Sequence, residues 1–211
     1  MIVIVDYGMG NLRSVEKGFE HVGHKAEIVR DPKSILNATA LVLPGVGAFR
    51  DCMNNLERLK LIDPIVEKIN QGIPYLGICL GLQVLFSESE EFGHTRGLNI
   101  IPGTVRRFSF DQKPGSESQR LKIPHMGWNT IKKVKSPPIL KEVPDRSHLY
   151  FVHSYYVVPE DHNVIATTTD YGGEFTSMIW KGNIYATQFH PEKSQDVGLS
   201  ILKAFAEIAG E

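Results

Sequence analysis

The sequence predicts an α/β fold: a mainly parallel open sheet flanked by helices, with antiparallel strands in the second half. The first observation is that short apolar runs alternate with amphipathic, helix-like segments over the first ninety residues. Repeated strand–helix–strand units form right-handed crossovers and therefore give parallel strands. The second observation is that helical periodicity stops after about Gly97, where short strand-like runs replace it.

Most elements have a local signal of their own. Ile2–Val5 is a continuous apolar run, which is typical of a parallel strand buried on both faces. Asn11 can cap a helix that ends at Gly23. Further strands are predicted at Ala26–Val29, at Ala40–Leu43 closed by Pro44-Gly45, and at Tyr75–Ile78, with a helix over Leu56–Ile69. Later strands are predicted at 104–110, 148–158, 163–169, 176–180 and 183–189, separated by polar stretches such as 111–120 and followed by an amphipathic helix from Ser194.

Composition indicates one domain over residues 1–211, because no repeat or linker divides a chain of a length that suits a single core. The net charge of −1 gives no indication of nucleic acid or an anionic membrane as partner. No apolar run approaches the roughly 18–20 residues of a membrane span, and the N-terminus lacks a basic leader. Two cysteines are too few for a disulfide framework or a zinc cluster. We therefore expect a cytoplasmic protein without a metal or another cofactor.

Basic residues concentrate between Thr104 and Lys135, where eight Lys or Arg accompany two acidic residues. A solvated loop face explains such a cluster better than a docking or phosphate-facing surface, although both remain open. Trp128 lies in this region, in a glycine-containing segment that we expect to be a loop. Tryptophan is enriched among interface anchors, so Trp128 is a candidate for a partner interface as well as for packing.

Cys79 stands between Gly77 and Gly81, after a predicted strand and before a predicted helix. This pattern resembles the G-x-S-x-G nucleophile elbow with sulfur in place of oxygen. The glycines would leave room for a strained turn, and the start of a helix favours a thiolate. The backbone N–H of Leu80 would point towards the oxyanion of an attacked carbonyl. Taken alone the pattern also fits a core cysteine, and Cys52, without flanking glycines, is predicted to be an incidental thiol.

A cysteine nucleophile needs a base, and His190 is the best placed of the eight histidines. It closes an apolar run and precedes Pro191, which biases it towards extended geometry. Residues two apart in an extended segment project to one side, so Glu192 could fix the tautomer of His190. His125 and His153 are weaker candidates, and the histidines expected at the surface are His21, His24, His94 and His162.

Several motifs together resemble the class I, triad-type glutamine amidotransferases. They are GICLGLQ at 77–83, LPGVGAF at 43–49, HSYYV at 153–157 and FHPEKS at 189–194. VDYGMGNLRSV at 5–15 and PHMGWN at 124–129 resemble one branch of that family, the glutaminase subunits of imidazole glycerol phosphate synthases.

The resemblance implies a site and a partner. Cys79 would attack the side-chain amide of glutamine, His190 would be the base, and Glu192 would orient it. Substrate and oxyanion would be held by Gly45, Val46, Gly47, Leu80, Gln83, Ser154 and Tyr155. The ammonia would pass to a separate (β/α)₈-barrel cyclase, which forms imidazole glycerol phosphate and an aminoimidazole carboxamide ribonucleotide in histidine biosynthesis.

Two alternatives remain from the sequence. One is an amidotransferase subunit that serves another synthase, of the anthranilate or pyridoxal type, because the glutaminase chemistry would be the same. The other is a non-catalytic flavodoxin-like module, against which the complete set of Cys79, His190 and Glu192 argues.

Overall fold

The first half of the chain forms the parallel part of a central sheet. The structure is a computed structural model that describes residues 1–110 and 121–210. The elements of this half are β1 (Ile2–Val5), α1 (Leu12–His21), β2 (Ala26–Val29), α2 (Pro32–Leu36), β3 (Ala40–Gly45), α3 (Phe49–Arg58), α4 (Ile62–Asn70) and β4 (Tyr75–Cys79). Strands β2, β1, β3 and β4 lie side by side in that order and pair in parallel. The predicted parallel sheet is confirmed.

The second half extends this sheet with antiparallel strands. Its elements are α5 (Leu80–Gln83), β5 (Phe86–Ser89), β6 (Thr95–Arg96), β7 (Ile101–Arg107), β8 (His125–Thr130), β9 (Lys132–Lys133), β10 (His148–His153), β11 (Tyr155–Pro159), β12 (Ile165–Asp170), β13 (Glu174–Lys181), β14 (Ile184–Thr187) and α6 (Gln195–Ile208). Strand β14 pairs in parallel with β4, and the antiparallel pairs β14–β13 and β13–β11 follow. Strands β8 and β10 form a separate antiparallel ribbon.

The core has two parts, one on each face of the parallel strands. Side chains alternate along β1, so that Ile2 and Ile4 belong to the part beneath α1 and α6, whereas Val3 and Val5 belong to the part beneath α2, α3 and α4. This division is what strands buried on both faces require. The carboxyl ends of β3 and β4 lie next to each other, with Gly45 opposite Cys79.

The helix predicted over Leu56–Ile69 is wrong, because two helices occupy this region. Lys60 adopts a left-handed φ of 57°, its N–H bonds to the carbonyl of Glu57, and the N–H of Leu61 bonds to that of Leu56. This is the Schellman arrangement that ends a helix. The side chain of Leu61, which directly follows the break, is fully buried.

Other boundaries also differ from the prediction. Asn11 precedes α1 but makes no side-chain capping bond, and α2 was not predicted although Asp31 caps it by accepting from the Ser34 N–H at 2.9 Å. The strand predicted at 148–158 is interrupted at Ser154.

Three expectations concerned larger regions. The segment at 124–129 is mostly strand β8 and not a loop, since five of its residues pair with β10. The polar stretch at 111–120, with part of the basic region, lies outside the described residues. Neither 1–110 nor 121–210 contains a helix with the length and apolar character that crossing a bilayer requires.

Candidate active site

A cavity of about 250 Å³ opens where β3 and β4 end. Such a position, beyond the carboxyl ends of parallel strands, is where open α/β sheets bind ligands. Its lining residues are Val46, Gly47, Cys79, Leu80, Gln83, Glu91, Pro124, Val152, His153, Ser154 and Tyr155. The volume is below the roughly 300–1,000 Å³ of pockets for drug-sized ligands, so it suits a compact molecule such as an amino acid.

Cys79 sits on a strained turn, as its flanking glycines predict. Its φ of 55° and ψ of −104° are unusual for a residue with a side chain. A Cβ atom on Gly77 would lie 2.5 Å from the carbonyl oxygen of Gly81, and one on Gly81 would lie 1.7 Å from that of Leu43. Both glycines are therefore required by the close approach of backbone atoms, and the elbow geometry is confirmed.

The helix after Cys79 is a single turn from Leu80 to Gln83. A dipole of one turn favours a thiolate only weakly, because the effect is a sum over aligned peptides. Gly45 pairs with Cys79 in the sheet, and Gly47 has a left-handed φ of 95°. Leu80 and the loop from Gly45 to Gly47 thus surround the sulfur, while their oxyanion roles stay predictions.

His190 and Glu192 form a buried pair. Nδ1 of His190 lies 2.8 Å from Oε1 of Glu192, and both side chains are 2% exposed. Glu192 is in a 3₁₀ turn, Pro191–Lys193, and not in the extended conformation we expected. Within the described residues, Nε2 of His190 has no hydrogen-bond partner. The geometry leaves this nitrogen available to Cys79.

Electrostatics favour a proton on His190. Burial lowers its pKa, but the proximity of Cys79 and the charge and hydrogen bond of Glu192 outweigh burial and raise the pKa to about 10. The positively charged imidazolium form of His190 is the state that these interactions stabilise. Ser194 holds the turn in place, because its hydroxyl donates to the carbonyl of His190 at 2.6 Å and accepts from the Tyr150 N–H at 3.0 Å.

The predicted substrate-binding residues Gln83, Ser154 and Tyr155 meet at the cavity wall. Nε2 of Gln83 donates to the carbonyl of Tyr155 and to Oε1 of Gln188, both at 3.1 Å. Both amide protons are therefore engaged, and Gln83 can bind a ligand through its carbonyl oxygen. The contact of Gln83, Ser154 and Tyr155 with substrate stays a prediction.

Sequence reasoning missed two polar residues of the site. The carboxylate of Glu91 lines the cavity and accepts from the Phe49 N–H at 2.7 Å, and no motif marked it. Gln188 donates to the sulfur of Cys79 at 3.5 Å. Its signal was available, because Gln188 precedes His190 by two residues at the end of a strand and so projects to the same side.

His125 and His153 do not supply a second base. His125 and His153 are buried and bonded to each other, with Nδ1 of His125 2.9 Å from Nε2 of His153. Burial lowers the pKa of His125 to about 4, and burial with the nearby imidazoles lowers that of His153 to about 3. Among the predicted surface histidines, His24 is only partly exposed.

Cys52 and Trp128 lie away from this chemistry. Cys52 is fully buried in α3, and burial raises the pKa of its thiol to about 12. Trp128 is 47% exposed and projects from β8 on the same side as Met126, which is 62% exposed. These two side chains, the β8 apolar patch, follow Pro124 of the cavity wall along the chain.

Comparison with known proteins identifies the family. The model of the family "Glutamine amidotransferase class-I" matches residues 3–208. The subunit HisH of imidazole glycerol phosphate synthase from Syntrophotalea carbinolica is 57% identical, over 99% of this chain and all of that protein. The HisH subunit from Geobacter sulfurreducens is 58% identical over 98% of each chain. A crystal structure of a glutamine amidotransferase superposes with a TM-score of 0.74 over all of both chains at 19% identity, and shows the shared fold. The chain therefore belongs to the class-I glutamine amidotransferase family, in the group of the HisH subunits.

Proposed function

We propose that this chain is the glutaminase subunit of an imidazole glycerol phosphate synthase and that Cys79, His190 and Glu192 carry the reaction. Glutaminase activity follows from membership of the family. The observation that supports the residue roles is the elbow of Cys79 at the cavity, beside the buried His190–Glu192 pair at 2.8 Å. The identity of 55–58% to HisH subunits favours this synthase over the anthranilate or pyridoxal type.

The chemistry proceeds through a thioester. The thiolate of Cys79 attacks the amide carbon of glutamine, while His190 holds the proton that came from the thiol. His190 gives this proton to the departing nitrogen, so that ammonia leaves and a γ-glutamyl thioester remains. Water then attacks the thioester with His190 as base, and the sulfur leaves as thiolate with glutamate as product. Glu192 keeps the imidazole oriented throughout.

Two acceptors among the lining residues fit the α-ammonium group of glutamine. The carboxylate of Glu91 and the free carbonyl oxygen of Gln83 both line the cavity and both accept hydrogen bonds. Backbone groups of Ser154 and Tyr155 hold the rest of the substrate. Leu80 and the loop from Gly45 to Gly47 supply the oxyanion donors.

The partner is a (β/α)₈-barrel cyclase that receives the ammonia. The surface of this chain that binds the cyclase includes the β8 apolar patch. Exposed aromatic and methionine side chains are frequent at the centres of interfaces, and this patch begins two residues after Pro124 of the cavity wall. The complex works in the cytoplasm, where buried thiols such as that of Cys52 stay reduced.

The test is glutamine hydrolysis by two matched cysteine variants. Cys79→Ala abolishes turnover because the nucleophile has no substitute, and Cys52→Ala keeps a rate within a fewfold of wild type. Circular dichroism checks that both variants are folded. Turnover by folded Cys79→Ala, or its loss in folded Cys52→Ala, would contradict the assignment.

A further inference from the structure

The sulfur of Cys79 has a side-chain donor that the proposed mechanism does not use. Nε2 of Gln188 lies 3.5 Å from Sγ of Cys79, and the side chain of Gln188 is fully buried. Thr187 pairs with Ile78 in the parallel strands β14 and β4. Gln188 and Cys79 are the next residues along the two strands, so they lie side by side. The contact therefore forms where these two paired strands end.

The hydrogen-bond network fixes which end of the Gln188 amide faces the sulfur. The backbone carbonyl of Tyr155 can only accept, so the group of Gln83 that contacts it at 3.1 Å must be the amide nitrogen. That nitrogen also lies 3.1 Å from the Gln188 amide, which must present its oxygen there. The nitrogen of Gln188 is then left to point at Cys79.

The carbonyl of Tyr155 is itself held by a buried chain of side chains. Nδ1 of His153 donates to it at 2.7 Å. Because both imidazoles are neutral, Nε2 of His153 then accepts from Nδ1 of His125, at 2.9 Å. Nε2 of His125 accepts in turn from the amide of Asn129, at 3.2 Å. Each N–H hydrogen in this network of side chains has a single position. The carbonyl of Tyr155, which orients the Gln83 amide, is therefore held in place.

We propose that Gln188 is a further catalytic residue, whose N–H donates to the sulfur of Cys79 and stabilises the thiolate. This inference rests on the proposed function, since it concerns the same nucleophile. The thiolate forms twice, when the thiol proton moves to His190 and again when sulfur leaves the thioester. A donor that prefers the anion assists both steps. Gln83 acts here as a positioning residue, because it sets the direction of the Gln188 amide.

The test measures the reactivity of the sulfur directly. The full-length chain is alkylated with iodoacetamide along the acid limb of its pH profile, where the rate follows the thiolate fraction. The rate of Cys79→Ala is subtracted to remove any reaction of Cys52. The variants are Gln188→Met, which has similar size and no donor, and Gln188→Glu. The matched control is Gln71→Met, at the exposed end of α4.

We expect Gln188→Met to lower the alkylation rate about tenfold at a given pH, as loss of a hydrogen bond to an anion predicts. Gln188→Glu lowers it further, because a carboxylate repels the thiolate, whereas Gln71→Met keeps the wild-type rate. Gln83→Glu also lowers the rate, because its carboxylate attracts the Gln188 N–H away from sulfur. A wild-type rate in folded Gln188→Met, even with a slow Gln188→Glu, would overturn the proposal.

This experiment separates the inference from the proposed function. Alkylation needs no glutamine, so it reports on Cys79 whether or not Cys79 is the nucleophile for glutamine. Turnover by Cys79→Ala would refute the proposed function while the alkylation rates still decide the role of Gln188. Circular dichroism and the melting temperature show which variants are folded. If Gln188→Met is not folded, the alkylation rate of Gln83→Glu tests the same contact.

Discussion

Replacing Glu192 by glutamine tests the electrostatics of the proposed triad. The substitution keeps the size of the side chain and removes its charge from a pair that is 2.8 Å apart and 2% exposed at both side chains. Because Glu192 is one of two residues that raise the pKa of His190 to about 10, the variant must lower that pKa. A single charged neighbour in such a site contributes about 1–3 pKa units. The pKa of His190 in the variant is thus expected to fall below the wild-type value by about this amount.

The sign of the pH dependence follows from this direction. Since the pKa of His190 rises from 6.5 in the unfolded chain to about 10, the stability it contributes is complete below pH 6.5 and is lost as the pH rises through about 10. The rise corresponds to about 5 kcal/mol of differential interaction. In Glu192→Gln this stability is smaller and is lost at lower pH.

The assay is glutamine turnover as a function of pH. Wild type loses activity on an alkaline limb near pH 10, where His190 gives up the proton that ammonia needs, and Glu192→Gln moves this limb to lower pH. The loss at neutral pH stays below that of His190→Ala, because the variant disturbs orientation without removing the base. Glu207→Gln, in an exposed ion pair with Lys141, is the control and leaves the limb in place. An unmoved limb, or a loss equal to that of His190→Ala, would refute the reasoning.

Three other predictions concern the elbow, the interface and a switch. Gly81→Ala destabilises the fold by more than about 1–3 kcal/mol and abolishes turnover, since its Cβ would lie 1.7 Å from the backbone oxygen of Leu43. Gly18→Ala is milder in thermal unfolding, since its Cβ would meet side-chain atoms only, a methyl of Leu202 at 2.6 Å and Cβ of Glu192 at 3.9 Å. Trp128→Ala weakens binding of the cyclase in titration calorimetry by about 1 kcal/mol or more, and unchanged affinity of the folded variant would exclude it from the interface. We predict that glutamine turnover is slow in the chain alone and rises with cyclase plus its nucleotide, on the hypothesis that the loop from Gly45 to Gly47 turns an oxyanion donor in or out. Equal rates with and without the cyclase and its nucleotide would show that the loop does not act as a switch.

Glycine spacing made the elbow predictable. Gly77 and Gly81 occupy positions where a Cβ would meet backbone oxygen, which is the requirement of a tight strand-to-helix turn around the nucleophile. The pairing of His190 with Glu192 followed from a spacing of two residues and the presence of Pro191. Even so, Glu192 reaches His190 from a 3₁₀ turn, so the rule gave the correct contact from an incorrect local conformation.

The missed features depend on distant partners. Strand β8 carries His125 and Asn129 on its inner side, and polar residues there conceal the alternation that marks a strand. His125 is hydrogen-bonded to His153, and Asn129 donates to the carbonyl of Asp170, 41 residues away along the chain. Glu91 likewise reaches the cavity from a turn that no motif marks. Contacts of this kind exist only after the chain has folded.

The covalent intermediate gives the most direct test of the account. Enzyme that is turning over glutamine is quenched in acid, digested with trypsin and mapped by mass spectrometry. Lys60 and Lys68 lie between the two cysteines, so trypsin places Cys52 and Cys79 on different peptides. We predict a γ-glutamyl group on the peptide of Cys79 and an increase in this species when Glu192→Gln slows its hydrolysis. The same group on Cys52, or turnover of glutamine without any adduct on Cys79, would contradict the central claim.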